Sequence, residues 1–196
     1  MKLIIASNNK HKITEIKSIL GLKFDTILSL SEAGITHETV EDGTTFLENA
    51  IKKASEIAAL SGACTLADDS GICAHALGNA PGIYSARFAG EHGDDKANNA
   101  MLLDKLSDKS DRTAHYTCAM ALVRPSGEIT TAEGHLYGTV IEAPRGVGGF
   151  GYDPLFVPDG ESRTLAEMTD GEKNEISHRK RALEALLKKL ENNCEV

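Results

Sequence analysis

The stretch Thr113-Ala-His-Tyr-Thr-Cys-Ala-Met-Ala-Leu-Val-Arg124, with the turn Pro125-Ser-Gly-Glu128 and the run Ile129 to Val140 behind it, decides the fold. Its first part alternates, placing Tyr116, Cys118, Met120 and Leu122 on one face, which is the period of a strand. The turn joins it to a second alternating run, so the segment predicts an antiparallel hairpin. Working outward, Lys2-Leu-Ile-Ile-Ala6 reads as a buried strand. The following Ile13 to Leu20 reads as a helix with Ile13, Ile16, Ile19 and Leu20 on one side. Gly21 ends it, and Phe24 to Leu28 suits a second strand. Strand–helix units beside a long hairpin predict an α/β fold, a mixed sheet flanked by helices.

Thr45-Phe-Leu-Glu48 is a capping box opening a helix through about Leu60, with Gly62 at its end. Phe46, Leu47, Ala50, Ala54, Ile57 and Ala58 mark its buried stripe, and Lys52, Lys53 and Glu56 read as a solvated face. Ile72 to Leu77 reads as another strand, and Asp94 or Asp95 caps a helix reaching Leu106. Near the end, Thr169 and Ser177 are both N-cap candidates for a helix running to about Leu190.

A chain of 196 residues is long enough for one domain, 1–196, with a substantial core. A net charge of −8 argues against broad attraction to nucleic acid while leaving room for a local basic pocket. Cys64, Cys73, Cys118 and Cys194 have no metal-ligand spacing and read as three core thiols and a tail thiol in a reducing compartment. The start Met1 to Ala6 is too short for a signal core, and no apolar run approaches a membrane span. These features predict a cytoplasmic protein with no membrane partner.

The chemistry-bearing residues fall in a few places. Ala67-Asp68-Asp69-Ser70-Gly71 ends an apolar run, and on a strand its two carboxylates point to opposite faces. The pair admits two readings, an Asx-turn at a strand end or a cation-facing acid. Glu41 is a second acid that the following helix can return toward Asp69. Ser7-Asn8-Asn9-Lys10-His11-Lys12 lies at a strand-to-helix turn, where backbone N–H groups and two lysines suit an anion. The plain alternative there is a solvated loop with an Asn cap. Arg145-Gly-Val-Gly-Gly-Phe150-Gly151-Tyr152-Asp153-Pro154 has four glycines in six residues for close backbone approach. It also offers two aromatic faces and an acceptor suited to ring N–H groups of a purine. Lys173, His178 and Arg179 read as basic groups at helix starts, against the dipole, which marks an anionic or base-recognising site. Together these parts suit a nucleotide whose phosphates are held by Mg²⁺ and lysines, and whose anhydride is hydrolysed by an acid-oriented water.

Six motifs in order carry a resemblance: Ser7-Asn-Asn-Lys-His-Lys12, Phe46-Leu-Glu-Asn-Ala50, Ala67-Asp-Asp-Ser-Gly71, Ala80-Pro-Gly-Ile-Tyr-Ser-Ala-Arg87, Gly149-Phe-Gly-Tyr-Asp-Pro-Leu-Phe156 and Glu172-Lys-Asn-Glu-Ile-Ser-His-Arg179. The chain resembles the inosine triphosphate pyrophosphatase family over nearly its whole length. The resemblance implies cleavage of ITP, dITP and XTP to the monophosphate and pyrophosphate with Mg²⁺. It also implies a two-lobed mixed α/β fold around a central nucleotide cleft, and a homodimer. By position, it makes Asp69 the catalytic acid–base and a metal ligand, with Glu41 as the second metal-site acid. Ser7 to Lys12 and Ser70 hold phosphates by the same carry-over. Phe150, Gly151, Tyr152, Asp153, Lys173, His178 and Arg179 recognise the base and the remainder of the nucleotide. His11 departs from the glycine often found there in the family. Two other readings stay open on residues alone: a nucleotide sensor without turnover, and a phosphatase of different base specificity.

Overall fold

The computed structural model describes residues 2–21 and 24–192. Cys194 therefore lies outside the described residues. Six strands form one sheet in the order β2-β1-β3-β4-β5-β6, where β1 is Lys2–Ile5, β2 Thr26–Ser29, β3 Cys64–Ala74, β4 Thr113–Val123, β5 Ile129–Val140 and β6 Phe156–Pro158. β1 runs parallel to both β2 and β3, whereas β6 runs antiparallel to β5. The expected hairpin is present. Arg124 N–H donates to Glu128 O across the turn at 2.9 Å, and Val140 N–H closes the open end on Arg112 O at 2.9 Å. The fold is thus a mixed α/β sheet with flanking helices, α1 (Lys10–Leu20), α2 (Phe46–Ser61), α3 (Asp95–Lys105), α4 (Asp170–Ile176) and α5 (His178–Asn192).

The chain divides into two compact units. The first comprises Met1–Asp69, Cys118–Gly134 and Arg179–Val196; the second comprises Ser70–Thr117 and His135–His178. The first unit has two apolar cores. One gathers Leu3, Ile5, Ile16, Leu66, Met120, Leu122 and Leu183; the other gathers Ile4, Ala50, Ala54, Ile57, Ala67, Ala121 and Val123. Consecutive residues of β1 and β4 therefore enter different cores, so these strands are covered on both faces. Each fully buried Leu or Ile contributes about 1.5–3 kcal/mol relative to exposure. The second unit packs Ile72, Leu102, Leu136, Tyr152, Leu155 and Phe156 around Tyr116.

Several local expectations need correction. β3 does not stop at Ala67 but continues through Asp68-Asp69-Ser70-Gly71 to Ala74, so the double acid lies in mid-strand and not in a turn. His75–Leu77, expected as strand, is a short 3-10 turn. Burial of nearly every β3 residue accompanies the continuation: Asp68 Oδ2 and the Asp69 carboxylate meet cations and an amide inside the protein, where a solvated turn was the alternative. The last helix is broken in two, because Ser177 has an extended ψ of 147°. Glu48 completes only half of the box expected at Thr45: its N–H donates to Thr45 Oγ1, but its carboxylate accepts from Thr44. Cys64, Cys73 and Cys118 are buried free thiols, as expected. Among the described residues no helix is long and apolar enough to cross a membrane.

Candidate active site

In the first unit, β3 places Asp68 and Asp69 on opposite sides, and their surroundings differ in kind. Asp69 is 6% exposed. Its Oδ2 accepts from Asn49 Nδ2 at 3.0 Å, and its Oδ1 lies 3.7 Å from Lys53 Nζ. Lys53 reaches Glu41 Oε1 at 2.8 Å, so one ammonium faces two carboxylates. Asn49 and Lys53 stand one turn apart on α2, which brings both to the same face. Thr45 sets that helix's start, and Gly43 N–H donates to Asn49 Oδ1 at 2.8 Å, fixing the amide so that its NH₂ meets Asp69. A side chain at Gly43 would collide with this amide, so the approach requires glycine.

Burial raises the Asp69 pKa above the usual aspartate value; Lys53 and Lys12 oppose the shift and Glu41 reinforces it. Burial alone would lower the Lys53 pKa, but Asp69, Glu41 and Asp68 outweigh it and hold the ammonium charged. Asp68 shifts the other way. Burial works against its charge, yet Lys12, Arg179 and Lys53 together hold the carboxyl well below its ordinary range. Lys12 Nζ is 3.1 Å from Asp68 Oδ2, and Arg179 contacts the same oxygen through Nε and Nη2 at 3.3 and 3.2 Å. Arg179 Nη1 donates to Glu15 at 2.6 Å. Asp68 is thus a fixed counter-charge, while Asp69 is the adjacent acid tuned toward accepting a proton.

The Ser7 to Lys12 loop leads into α1 as expected, but its anion-facing backbone is already partly used. Asn9 caps the helix by accepting from His11 and Lys12 N–H at 3.0 and 3.2 Å, and Ser7 Oγ accepts from Asn9 N–H at 3.2 Å. Asn8, Asn9, Lys10 and His11 are exposed, and Lys12 is half-buried beside Asp68. The loop therefore offers side chains to an anion more than free amides.

The second unit holds the glycine-rich stretch. Asp153 is 3% exposed, and both of its oxygens have partners within the unit. Oδ2 accepts from Lys173 Nζ at 2.5 Å and from Phe150 N–H at 2.8 Å, and Oδ1 accepts from Tyr116 OH at 3.4 Å. Asp153, expected to read a purine, is here the acceptor that holds the Lys173 ammonium, the Phe150 N–H and the Tyr116 hydroxyl. Tyr152 is a core residue, its OH donating to Ser85 O at 2.8 Å. Phe150 carries the Lys173 ammonium 4.3 Å from its ring centroid. Lys173 lies in the last turn of α4 and not at a helix start, so it agrees with the dipole. The glycines make close approaches within the protein: Gly146 and Gly148 pack on the Ala166 backbone, and Gly149 on the Asp153 side chain. Gly151 N–H donates to Asp95 at 2.7 Å. Ser70 is half-buried on β3. His178 is buried and stacked on Tyr116, with centroids 4.7 Å apart.

Arg179, expected with Lys173 and His178 at the base and the remainder of the nucleotide, is 1% exposed and pairs with Asp68 and Glu15 within the first unit. Sequence reading missed Lys53, taken for solvated surface. The signal was available in the spacing, because Asn49 and Lys53 are four apart beside an acidic loop. Arg87 sits over the Tyr84 ring at 5.2 Å.

Fold and site together define a class: α/β proteins with a buried, mid-strand aspartate facing a helix-borne lysine, and a lysine-linked aromatic loop. The chain belongs to the Ham1 family, whose model matches residues 3–189. It is 51% identical over 193 residues to the dITP/XTP pyrophosphatase of Clostridium perfringens, covering 94% of this chain and 95% of that one. The dITP/XTP pyrophosphatase of Bacillus subtilis is 47% identical over 190 residues, with 96% of each chain covered. Among solved structures, the Staphylococcus aureus Ham1 protein superposes with a TM-score of 0.88 at 38% identity, covering 98% of this chain and 100% of that one. The dITP/XTP pyrophosphatase of Mycobacterium abscessus gives 0.78 at 45% identity, covering 95% and 99%.

Proposed function

We propose that this chain hydrolyses noncanonical purine nucleoside triphosphates, ITP, dITP and XTP, to the monophosphate and pyrophosphate, with Asp69 as the general base. The observation that carries the reading is the Asp69 environment: a buried carboxylate, oriented by Asn49 and shifted toward holding a proton, beside a charged lysine. A base of raised pKa accepts a proton from water more readily than an ordinary aspartate. The water oxygen bonds to a phosphorus of the α–β anhydride, the bridging P–O bond breaks, and the proton passes to Asp69. Lys53, Lys12 and Lys10 spread the negative charge that develops on the phosphoryl oxygens. The relatives' activity on dITP and XTP supports this substrate class.

The donor set fits a hard divalent cation, for which we assign Mg²⁺. Glu41 and Asp69 are oxygen ligands gathered around one positive group, and Mg²⁺ needs one or two carboxylates with water and phosphate completing its shell. When bound, the cation supplies charge neutralisation at the phosphates.

For the base, Lys173 and His178 satisfy a 6-oxo acceptor and leave the amino group of adenine without a match, which is costly in a buried site. Phe150 offers the ring face. We further assign a cytoplasmic homodimer of one functional domain, 1–196, without nucleic-acid or membrane partners, in keeping with the net charge of −8. The test is product identity from ITP, XTP, GTP and ATP, with and without Mg²⁺. Pyrophosphate from ITP and XTP, with GTP and ATP nearly untouched, supports the assignment. Orthophosphate would make the chain a phosphatase, and binding without any product would make it a sensor.

A further inference from the structure

Tyr116 touches both His178 and Asp153. Its ring lies parallel to the His178 imidazole, centroids 4.7 Å apart and planes 12° from coplanar. Phe156 meets it edge-on at 4.9 Å, holding it from another side. Its hydroxyl reaches Asp153 Oδ1 at 3.4 Å. An ionised carboxylate only accepts, so the phenol is the donor. Burial and the neighbouring Asp153 raise the Tyr116 pKa well above the usual phenol value, which keeps that proton in place. The other Asp153 oxygen holds Lys173, whose ammonium lies over Phe150. A continuous path therefore runs from the phenol through Asp153 to Lys173, and a second path runs from the ring to His178. All these residues belong to the second unit. The surrounding core of Ile72, Leu136, Val140 and Leu155 is apolar, and a phenylalanine would fill it without a hydroxyl to satisfy.

We infer that Tyr116 is a positioning residue for base recognition, seating His178 with its ring and fixing Lys173 through Asp153 with its hydroxyl. The inference rests on the base-recognition reading above and adds a residue that the sequence assigned only to the core face of a strand. It is tested by binding, separately from turnover. ITP and ATP affinities are measured by calorimetry on the full chain carrying Asp69→Asn, alone and combined with Tyr116→Phe or Tyr116→Leu. Tyr116→Phe keeps the ring and removes one buried donor, so ITP binding should weaken about fivefold. ATP binding, which gains nothing from these groups, should change less than twofold. Tyr116→Leu, which also loses the stack, should weaken ITP further. Unchanged ITP affinity in the Phe variant, or equal weakening for ITP and ATP, would overturn the inference. Absence of any ITP binding before Tyr116 is altered would overturn both it and the base reading. Turnover of ITP by the unaltered chain tests hydrolysis alone, and its failure alongside a selective ITP effect would leave Tyr116 standing and remove the enzyme.

Discussion

Asp68 and Asp69 are neighbours in sequence, yet the fold gives them opposite electrostatic fates. Asp68 meets two cations at one oxygen, whereas Asp69 meets burial first and Lys53 second. The folded-state pKa of Asp68 is depressed, so its contribution to stability is present above its unfolded value, about pH 4. That contribution disappears as pH falls through the depressed value. Asp68→Asn leaves Arg179 and Lys12 short of a counter-charge and should cost about 3–5 kcal/mol in denaturant unfolding at pH 7. The deficit should shrink as pH is lowered; a deficit independent of pH would contradict the assignment. For Asp69 the signs are fixed by its neighbours. Lys53 lowers its pKa and Glu41 raises it. In metal-free protein, Lys53→Met should move the Asp69 carboxyl titration to higher pH and Glu41→Gln to lower pH, followed by carbon NMR. Shifts of the reverse sign would refute this account of the site. Lys53 was hidden in the sequence because an exposed and a buried lysine look alike until a distant acid is placed beside them.

At the scale of elements, β3 does most to place the site. Its first half lies in the first unit and ends at Asp69, and its second half begins at Ser70 in the second unit. Gly71 packs against Ser85 and the Gly82 carbonyl, and any Cβ there would meet that backbone. Gly71→Ala should therefore cost about 1–3 kcal/mol of stability by chemical denaturation. A loss below a few tenths would mean that the segment holding Gly82 and Ser85 can yield. Ser85 Oγ also accepts from Ile72 N–H at 3.0 Å and donates to Gly82 O at 2.6 Å. Ser85→Ala leaves a buried N–H unsatisfied and should cost a similar amount. Strands and helices with strong periodicity were legible: β1, α1, α2, β4 and β5 stand where their apolar spacing put them. The continuation of β3 was not, because an Asp-Asp-Ser-Gly run carries turn chemistry unless its carboxylates find internal cations. The break between α4 and α5 was equally silent, since one Ser serves as readily inside a helix boundary as at a single start.

For the whole molecule, the mixed sheet and the set of nucleotide-type motifs were readable from sequence, and the family match over residues 3–189 agrees with them. What sequence did not show was the internal pairing: Arg179 bonds to Glu15 and Asp68, and Asp153 to Lys173, each within its own unit. A net charge of −8 also fits a protein that meets its substrate through a local cluster of lysines and not through a broad field. The central claim is that Asp69 takes the proton in pyrophosphate release. The direct measurement is steady-state release of pyrophosphate from ITP by the unaltered chain and by Asp69→Asn, with ITP affinity determined in parallel. The account predicts a fall in kcat of about a thousandfold with affinity kept within about threefold. Turnover within tenfold of the unaltered chain would contradict it.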